Sequence, residues 1–170
     1  TYDAAYEKVL KYFGNIPAGP TIARPGVNIA KRMGNTRGDY QDRVQESRIT
    51  MTWNVPQWGV QEATWLDIAA SVLASGKSSR LFKKLVYEKQ ICTSAQAFNG
   101  TSEIGGTFTV MANVKKGKSV EEVEAAINEI LGDFLRNGPT EEEMKRVKAS
   151  YFAGFIKGLD RIGGFGKKSD

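Results

Sequence analysis

The chain opens with apolar residues at helical spacing: Tyr6, Val9, Leu10 and Phe13 share one face, which predicts an amphipathic helix. Gly14 stands where a helix end favours a residue tolerant of positive φ. Pro17, Gly19, Pro20, Pro25, Gly26 and Gly34 then punctuate an extended loop over residues 15–40. Strict alternation follows. Ile49, Met51 and Trp53 lie on one side of a strand, Arg48, Thr50 and Thr52 on the other, and Pro56 stops it. The period then returns to helical, with Trp65, Ile68, Ala69, Val72 and Leu73 in a stripe ending near Ser75-Gly76. A shorter helix is expected over Ser79–Lys89, with Leu81, Phe82 and Leu85 inward and Lys83, Lys84 and Glu88 outward.

Two strands come next, at about 91–98 and about 104–114; the second sets Phe108, Val110, Ala112 and Val114 on one face. Asn99-Gly100 between them accepts the left-handed geometry of primed turns, which predicts a hairpin and antiparallel pairing. Two helices close the chain. Ser119 with Glu122 is a capping box, and Val120, Val123, Ile127, Ile130, Leu131 and Phe134 form the buried stripe behind it. Asn137-Gly138-Pro139 stops that helix, and Thr140 with Glu143 caps the next, where Met144, Val147, Tyr151 and Phe155 are expected inward. The acidic runs Glu121-Glu122 and Glu141-Glu142-Glu143 sit in first turns, where they complement the helix dipole rather than bind metal. Beyond Phe155 the glycines Gly158, Gly163, Gly164 and Gly166 weaken helix formation. This order predicts an α+β fold, an antiparallel sheet with helices packed on one face.

The 170 residues are read as a single domain, 1–170, long enough to bury roughly 70% of its unfolded surface. Gly166-Lys167-Lys168-Ser169-Asp170 reads as an interruption, so a fragment of a longer protein is expected. Hydrophobic residues at 41% and charged residues at 25% are ordinary globular usage. No apolar run approaches the roughly 20 residues of a bilayer span, so no transmembrane segment is expected. The net charge of +5 is scattered, from Arg24, Lys31, Arg32, Arg37, Arg43 and Arg48 to Lys83, Lys84, Lys115, Lys116 and Lys118. That spread describes a solvated surface, not a nucleic-acid stripe, and no nucleic-acid partner is expected. A mild positive field also suits acidic substrate segments or an acidic partner subunit.

Candidate chemistry is defined by what is missing. The run Ser75-Gly76-Lys77-Ser78 imitates a phosphate loop, but Ser71 stands where that motif needs its first glycine, and a helix rather than a strand precedes it. With no histidine anywhere, a serine nucleophile lacks its usual base. Histidine and thiolate are also the usual zinc ligands, and the one cysteine, Cys92, reads as a small buried hydrophobe. No catalytic and no metal-binding residue is therefore assigned, and substrate-binding residues are not readable.

One stretch carries a resemblance: the turn, short basic helix and strand opening from Gly76-Lys77-Ser78-Ser79-Arg80-Leu81-Phe82 to Ile91-Cys92-Thr93-Ser94-Ala95. It resembles the zinc-free half of insulinase/pitrilysin-type metallopeptidases, the inverted zinc-binding group. The likeness runs from about Tyr2 to Gly166. Tyr12-Phe13-Gly14-Asn15-Ile16-Pro17 resembles the family's helix end, Ile49 to Pro56 its first strand, and Ala69 to Leu85 its helix pair. Gly106-Thr107-Phe108-Thr109-Val110 resembles its central strand, and Asn137-Gly138-Pro139-Thr140-Glu141-Glu142-Glu143-Met144 its last interhelical turn.

The resemblance implies two homologous halves closing around a chamber. One half holds zinc in an H-x-x-E-H helix whose glutamate serves as general base. This chain corresponds to the other half: it binds no cofactor itself, and zinc is expected in the missing half or partner. Many members present an arginine at the end of the short helix here and a tyrosine about two turns later. Val86-Tyr87 and Cys92-Thr93 occupy those places, so neither role is filled by the expected residue. Arg80 belongs to the Ser-Ser-Arg-Leu turn and reads as a structural contact. The implied partners are a peptide or unfolded protein substrate and a homologous half or subunit carrying the zinc site or the arginine–tyrosine pair. The missing pair fits the zinc-bearing chain of a heterodimer, with H-x-x-E-H expected upstream of Thr1. The periplasm is the compartment many bacterial relatives suggest. A catalytically inactive scaffold or assembly subunit derived from a peptidase fits the same residues.

Overall fold

Strand β3 (Gly106–Val114) is the centre of the molecule, paired antiparallel with β1 (Arg48–Val55) on one side and β2 (Cys92–Thr101) on the other. The computed structural model describes residues 1–23, 25–27 and 29–159, so Gly163, Gly164, Gly166 and the closing residues to Asp170 lie outside it, as does Arg24. The helical elements are α1 (Tyr2–Phe13), which buries no residue, α2 (Gln61–Ala74), a π-helical segment (Phe82–Glu88), α3 (Val120–Asn137) and α4 (Glu141–Leu159). This is the expected α+β fold, with the helices on one face of an antiparallel sheet.

Register explains the core. Phe108, Val110, Ala112 and Val114 share a face of β3 and are all buried. Met51 and Ala97 flank Val110, and Ile49 and Ala95 flank Ala112. α2 packs over β2, and α3 covers β1 and β3 with Val123, Ala126, Ile127 and Ile130. Each large aliphatic side chain buried in this layer stabilises the fold by roughly 1.5–3 kcal/mol.

Several expectations need correction. Asn99-Gly100 is not the hairpin turn: Asn99 opposes Phe108 and Gly100 opposes Thr107, inside the ladder. The chain reverses at residues 102–105, where the Ser102 N–H donates to the Gly105 carbonyl at 2.8 Å, and Ile104 belongs to that turn. The Asn99 amide is used instead to grip α2, donating to the Ala63 carbonyl and to Asp67 Oδ1 at 3.1 Å each. Trp65 is 57% exposed, because Ala63, Leu66, Ala70 and Leu73 form the inward face and the small alanines let α2 approach β2 closely. Trp53 is also exposed, at 42%, although its ring still tilts against Phe108 at 6.3 Å. Tyr151 and Phe155 are exposed, while Val147 is buried. The 19 residues of α4 outreach the 14 of α2 on which it leans, so only its first half finds cover.

The ends of elements also differ. Gly14 takes φ −63, a right-handed conformation, and its N–H closes the helix on the Leu10 carbonyl at 2.9 Å. None of the α1 residues is buried, so Tyr6, Val9, Leu10 and Phe13 form a stripe that stays open. The short helix expected at Ser79–Lys89 is α-helical only at Arg80-Leu81 and then widens to a π-helix. Its closing bond runs from the Lys89 N–H to the Lys84 carbonyl, 2.9 Å, five residues back. The extra residue per turn keeps Leu81 and Leu85 fully buried while swinging Phe82 only half inward.

Candidate functional site

The Ser-Ser-Arg-Leu turn is a built corner. Gly76 adopts φ +80, a left-handed conformation that costs a glycine nothing, and so lets the chain leave α2 sharply. The buried Ser79 hydroxyl donates to the Gly76 carbonyl at 2.6 Å and locks the turn. Arg80 then reaches into the joint between α3 and α4. Its Nε donates to Glu143 Oε1 at 2.6 Å and its Nη2 to Glu143 Oε2 at 2.8 Å, a bidentate fork. Nη2 also reaches the Gly138 carbonyl at 2.8 Å, Nη1 reaches Asp133 Oδ2 at 3.0 Å, and the guanidinium lies 5.2 Å from the centre of the Phe134 ring.

Glu143 is doubly employed. The Thr140 N–H donates to its Oε2 at 2.8 Å, and its own N–H is capped by Thr140 Oγ1 at 3.2 Å, which completes the capping box foreseen in the sequence. The Arg80 hydrogen bonds hold the Glu143 carboxyl down to about 2, against a smaller upward push from burial. The same bond raises Arg80, again with burial in opposition. Arg146 adds a second tie to the corner, from α4 to Ser78 Oγ at 2.6 Å. Arg80 is thus a tether with every arm engaged. Sequence reasoning missed its partners because no local signal links positions 63 apart.

The places of the family's arginine and tyrosine lie on the strand side of this corner. Val86 is half-buried against the core, and Tyr87 points outward at 74% exposure. Pairing jumps from Cys92 opposite Val114 to Ser94 opposite Asn113, so Thr93 is the extra residue of a β-bulge. Its exposed side chain donates to Glu46 Oε2 at 2.6 Å. Neither place presents a cationic side chain, and the phenol of Tyr87 is directed to solvent.

Zinc does not fit these residues. Burial pushes the Cys92 thiol up to about 11, with a smaller push from Glu122, which disfavours the thiolate a metal needs. Glu143 is committed to Arg80, and among the described residues no three acidic or cysteine side chains converge.

Two open surfaces remain. The face of the sheet opposite the helices carries Thr50, Thr52, Asn54, Thr107, Met111, Asn113, Ser94, Gln96 and Phe98, with the buried Thr109 at its centre and Arg48 as the one charge its strands supply; residues 38–47 line a cavity along its Arg48–Asn113 end. Arg48 Nε is itself bonded to Asn113 Oδ1 at 2.9 Å. The second surface is a groove between α2, α4 and β2. Two adjoining cavities of about 470 and 490 Å³ meet there at Ser71, Ser75 and Tyr151.

Known proteins share this architecture. A protease from Helicobacter pylori superposes with a TM-score of 0.75 at 20% identity, over 95% of this chain and 40% of that one. The peptidase M16 inactive domain from Pseudomonas fluorescens gives 0.68 at 15% identity, over 92% and 39%. A chain of complex III2 from Candida albicans gives 0.58 at 17% identity, over 70% and 30%. At such identities the likeness establishes the fold. The chain spans about two fifths of the first two proteins. No curated protein matches it. A family model described as the peptidase M16 inactive domain matches residues 1–151. The chain belongs to that family, the zinc-free half of the insulinase-type metallopeptidases.

Proposed function

We propose that this domain forms one wall of a peptide-binding chamber in a longer zinc peptidase, residues 1–170 acting as a single unit against a homologous half or subunit. The observation that carries the reading is the polar face of the sheet, opposite the helices. Its hydroxyls and amides offer hydrogen bonds to any main chain, and apart from Arg48 its strands carry no charge. Such a wall suits peptides or unfolded segments of varied sequence. Zinc and the general base belong to the other half, and this chain supplies surface, not chemistry. Chelator-sensitive peptide hydrolysis by the full-length protein, weakened by Thr107→Lys on the open face, is the expected result. Hydrolysis indifferent to chelator would sink the reading.

The second reading is a scaffold that has lost catalysis. Val86-Tyr87 and Cys92-Thr93, standing where the arginine–tyrosine pair is expected, favour it, as does the likeness to a chain of complex III2 from Candida albicans. Full-length protein that assembles with a partner yet hydrolyses nothing would decide for it.

A further inference from the structure

Charges do not balance in the cleft beside β1. Arg32 and residues 35–39 line a cavity of about 470 Å³ there, together with β1 and α3. Three guanidiniums face it, from Arg32, Arg37 and Arg48, against two carboxylates, from Asp39 and Glu124. One arginine takes both carboxylates. Arg37 Nη1 donates to Glu124 Oε2 at 2.6 Å, and its Nε donates to Asp39 Oδ1 at 3.3 Å. Among the described residues no ion pair involves Arg32 or Arg48.

Arg48 is steadied as well as unpaired. Its Nε donates to Asn113 Oδ1 at 2.9 Å, which holds the guanidinium from one edge. Both Nη groups have no partner among the described residues, and such a planar fork matches the two oxygens of a carboxylate. Asn35 and Asn128 bring amide groups to the same lining. A second cavity, of about 1050 Å³, shares Arg48 and Thr50 with the first and runs along Asn113 on the polar face of the sheet. Two acids line only that larger cavity. Asp42 accepts from the Arg43 N–H at 2.7 Å and Glu46 from the Thr93 hydroxyl at 2.6 Å, and neither pairs with Arg48. Their charge repels an anion from the wide side and so favours the Arg32 side of Arg48.

We propose that the cleft between Arg32 and Arg48 is a carboxylate-binding subsite, which takes an acidic side chain or a free chain terminus from a peptide lying on the polar face. This rests on the reading of the domain as a chamber wall, which supplies the peptide. The net charge of +5 draws acidic segments toward the domain in general, and the two unpaired guanidiniums fix where the carboxylate comes to rest. Lys31 adds to the general field without lining the cleft, so the two effects can be separated.

The test is calorimetric titration of the full-length protein, held in chelator, with three unlabelled peptides of serine, alanine and threonine. The first carries one internal glutamate and an amidated end, the second a glutamine in its place, and the third that glutamine with a free terminal carboxylate. A carboxylate should tighten binding roughly tenfold over the second peptide, and the gain should shrink as salt rises. A gain in the first peptide assigns the site to an acidic side chain, and a gain in the third alone assigns it to a chain terminus. Arg48→Gln should abolish the gain, Arg32→Gln should reduce it, and Arg48→Lys should keep part of it. These side chains are exposed, so the variants fold. Lys31→Gln removes the same charge outside the cleft and should preserve the gain. Equal affinity for all three peptides overturns the proposal, as does a gain that Lys31→Gln weakens as much as Arg48→Gln. Hydrolysis without chelator, read in parallel, separates the two ideas. Chelator-sensitive hydrolysis without a carboxylate gain removes this inference alone; a carboxylate gain without hydrolysis removes the peptidase reading.

Discussion

Arg80 grips Glu143 through both carboxylate oxygens, at 2.6 and 2.8 Å, and so joins the turn after α2 to the first turn of α4 across 63 positions of sequence. The side chains are only 16% and 18% exposed, which lifts this pair out of the class of surface ion pairs worth little. Its consequence for acid stability has a definite sign. Glu143 ionises at about 2 in the folded chain against 4.5 ordinarily, so its contribution is complete above pH 4.5 and disappears as pH falls toward 2. Roughly 3 kcal/mol is the ceiling for that contribution. Urea unfolding of the native chain and of Glu143→Gln should therefore differ most near pH 6 and converge near pH 2. A gap that stays constant across this window would refute the assignment.

Removing the arginine should cost more than removing a surface charge. Arg80→Ala leaves Glu143 mostly buried without its fork and also strips the Gly138 carbonyl and Asp133, for an expected loss of roughly 3–4 kcal/mol. Arg80→Lys keeps the charge but loses the planar geometry and should fall between. Thermal unfolding of both variants, with Glu143→Gln alone and in combination with Arg80→Ala, gives the coupling energy directly. Independent, additive losses would show that the two side chains do not act as a unit.

How far the residues announced this architecture depends on the range of the signal. Both helix starts were legible because Ser119 with Glu122 and Thr140 with Glu143 are local contacts: Ser119 Oγ caps the Glu122 N–H, and the Thr140–Glu143 box closes in both directions. The inward face of β3 was legible because strand alternation is local too. Trp65, Tyr151 and Phe155 misled because their apolarity says nothing about whether a neighbour arrives to cover them. Asn99-Gly100 misled for a related reason: its turn propensity is real but yields to a tertiary grip on α2. The π-helix left no mark, since Leu81 and Leu85 satisfy the α period equally well. Of the candidate site, the Ser-Ser-Arg-Leu turn was readable, and the reach of Arg80 to Glu143 and Asp133 was not.

Two glycines should respond to the same substitution with opposite signs. Gly138 holds φ +69 and ψ −171 at the end of α3, a region other residues rarely enter. Gly138→Ala should destabilise by roughly 1–3 kcal/mol and displace the carbonyl that Arg80 binds. Gly154 lies within α4, where an added Cβ meets nothing within 4 Å. Gly154→Ala should stabilise by roughly 0.5–1 kcal/mol through helix propensity. Melting temperatures of the pair test both, and a shared sign would contradict the backbone argument.

Zinc should leave this chain unmoved. A ligand that binds only the folded form stabilises it by mass action, about 2.7 kcal/mol at a hundredfold excess over its dissociation constant. The donors required for such binding are committed elsewhere. Cys92 is buried with its thiol raised to about 11, and the Glu143 carboxylate is held by Arg80. Added zinc should therefore not shift the melting temperature, and a thiol reagent at pH 8 should label Cys92 only at the rate at which the chain unfolds. Rapid labelling in the native state, or a zinc-dependent rise in melting temperature abolished by Cys92→Ala, would reverse the argument. Either would place a metal-competent thiolate where burial in the core, opposite Val114, leaves only a hydrophobe.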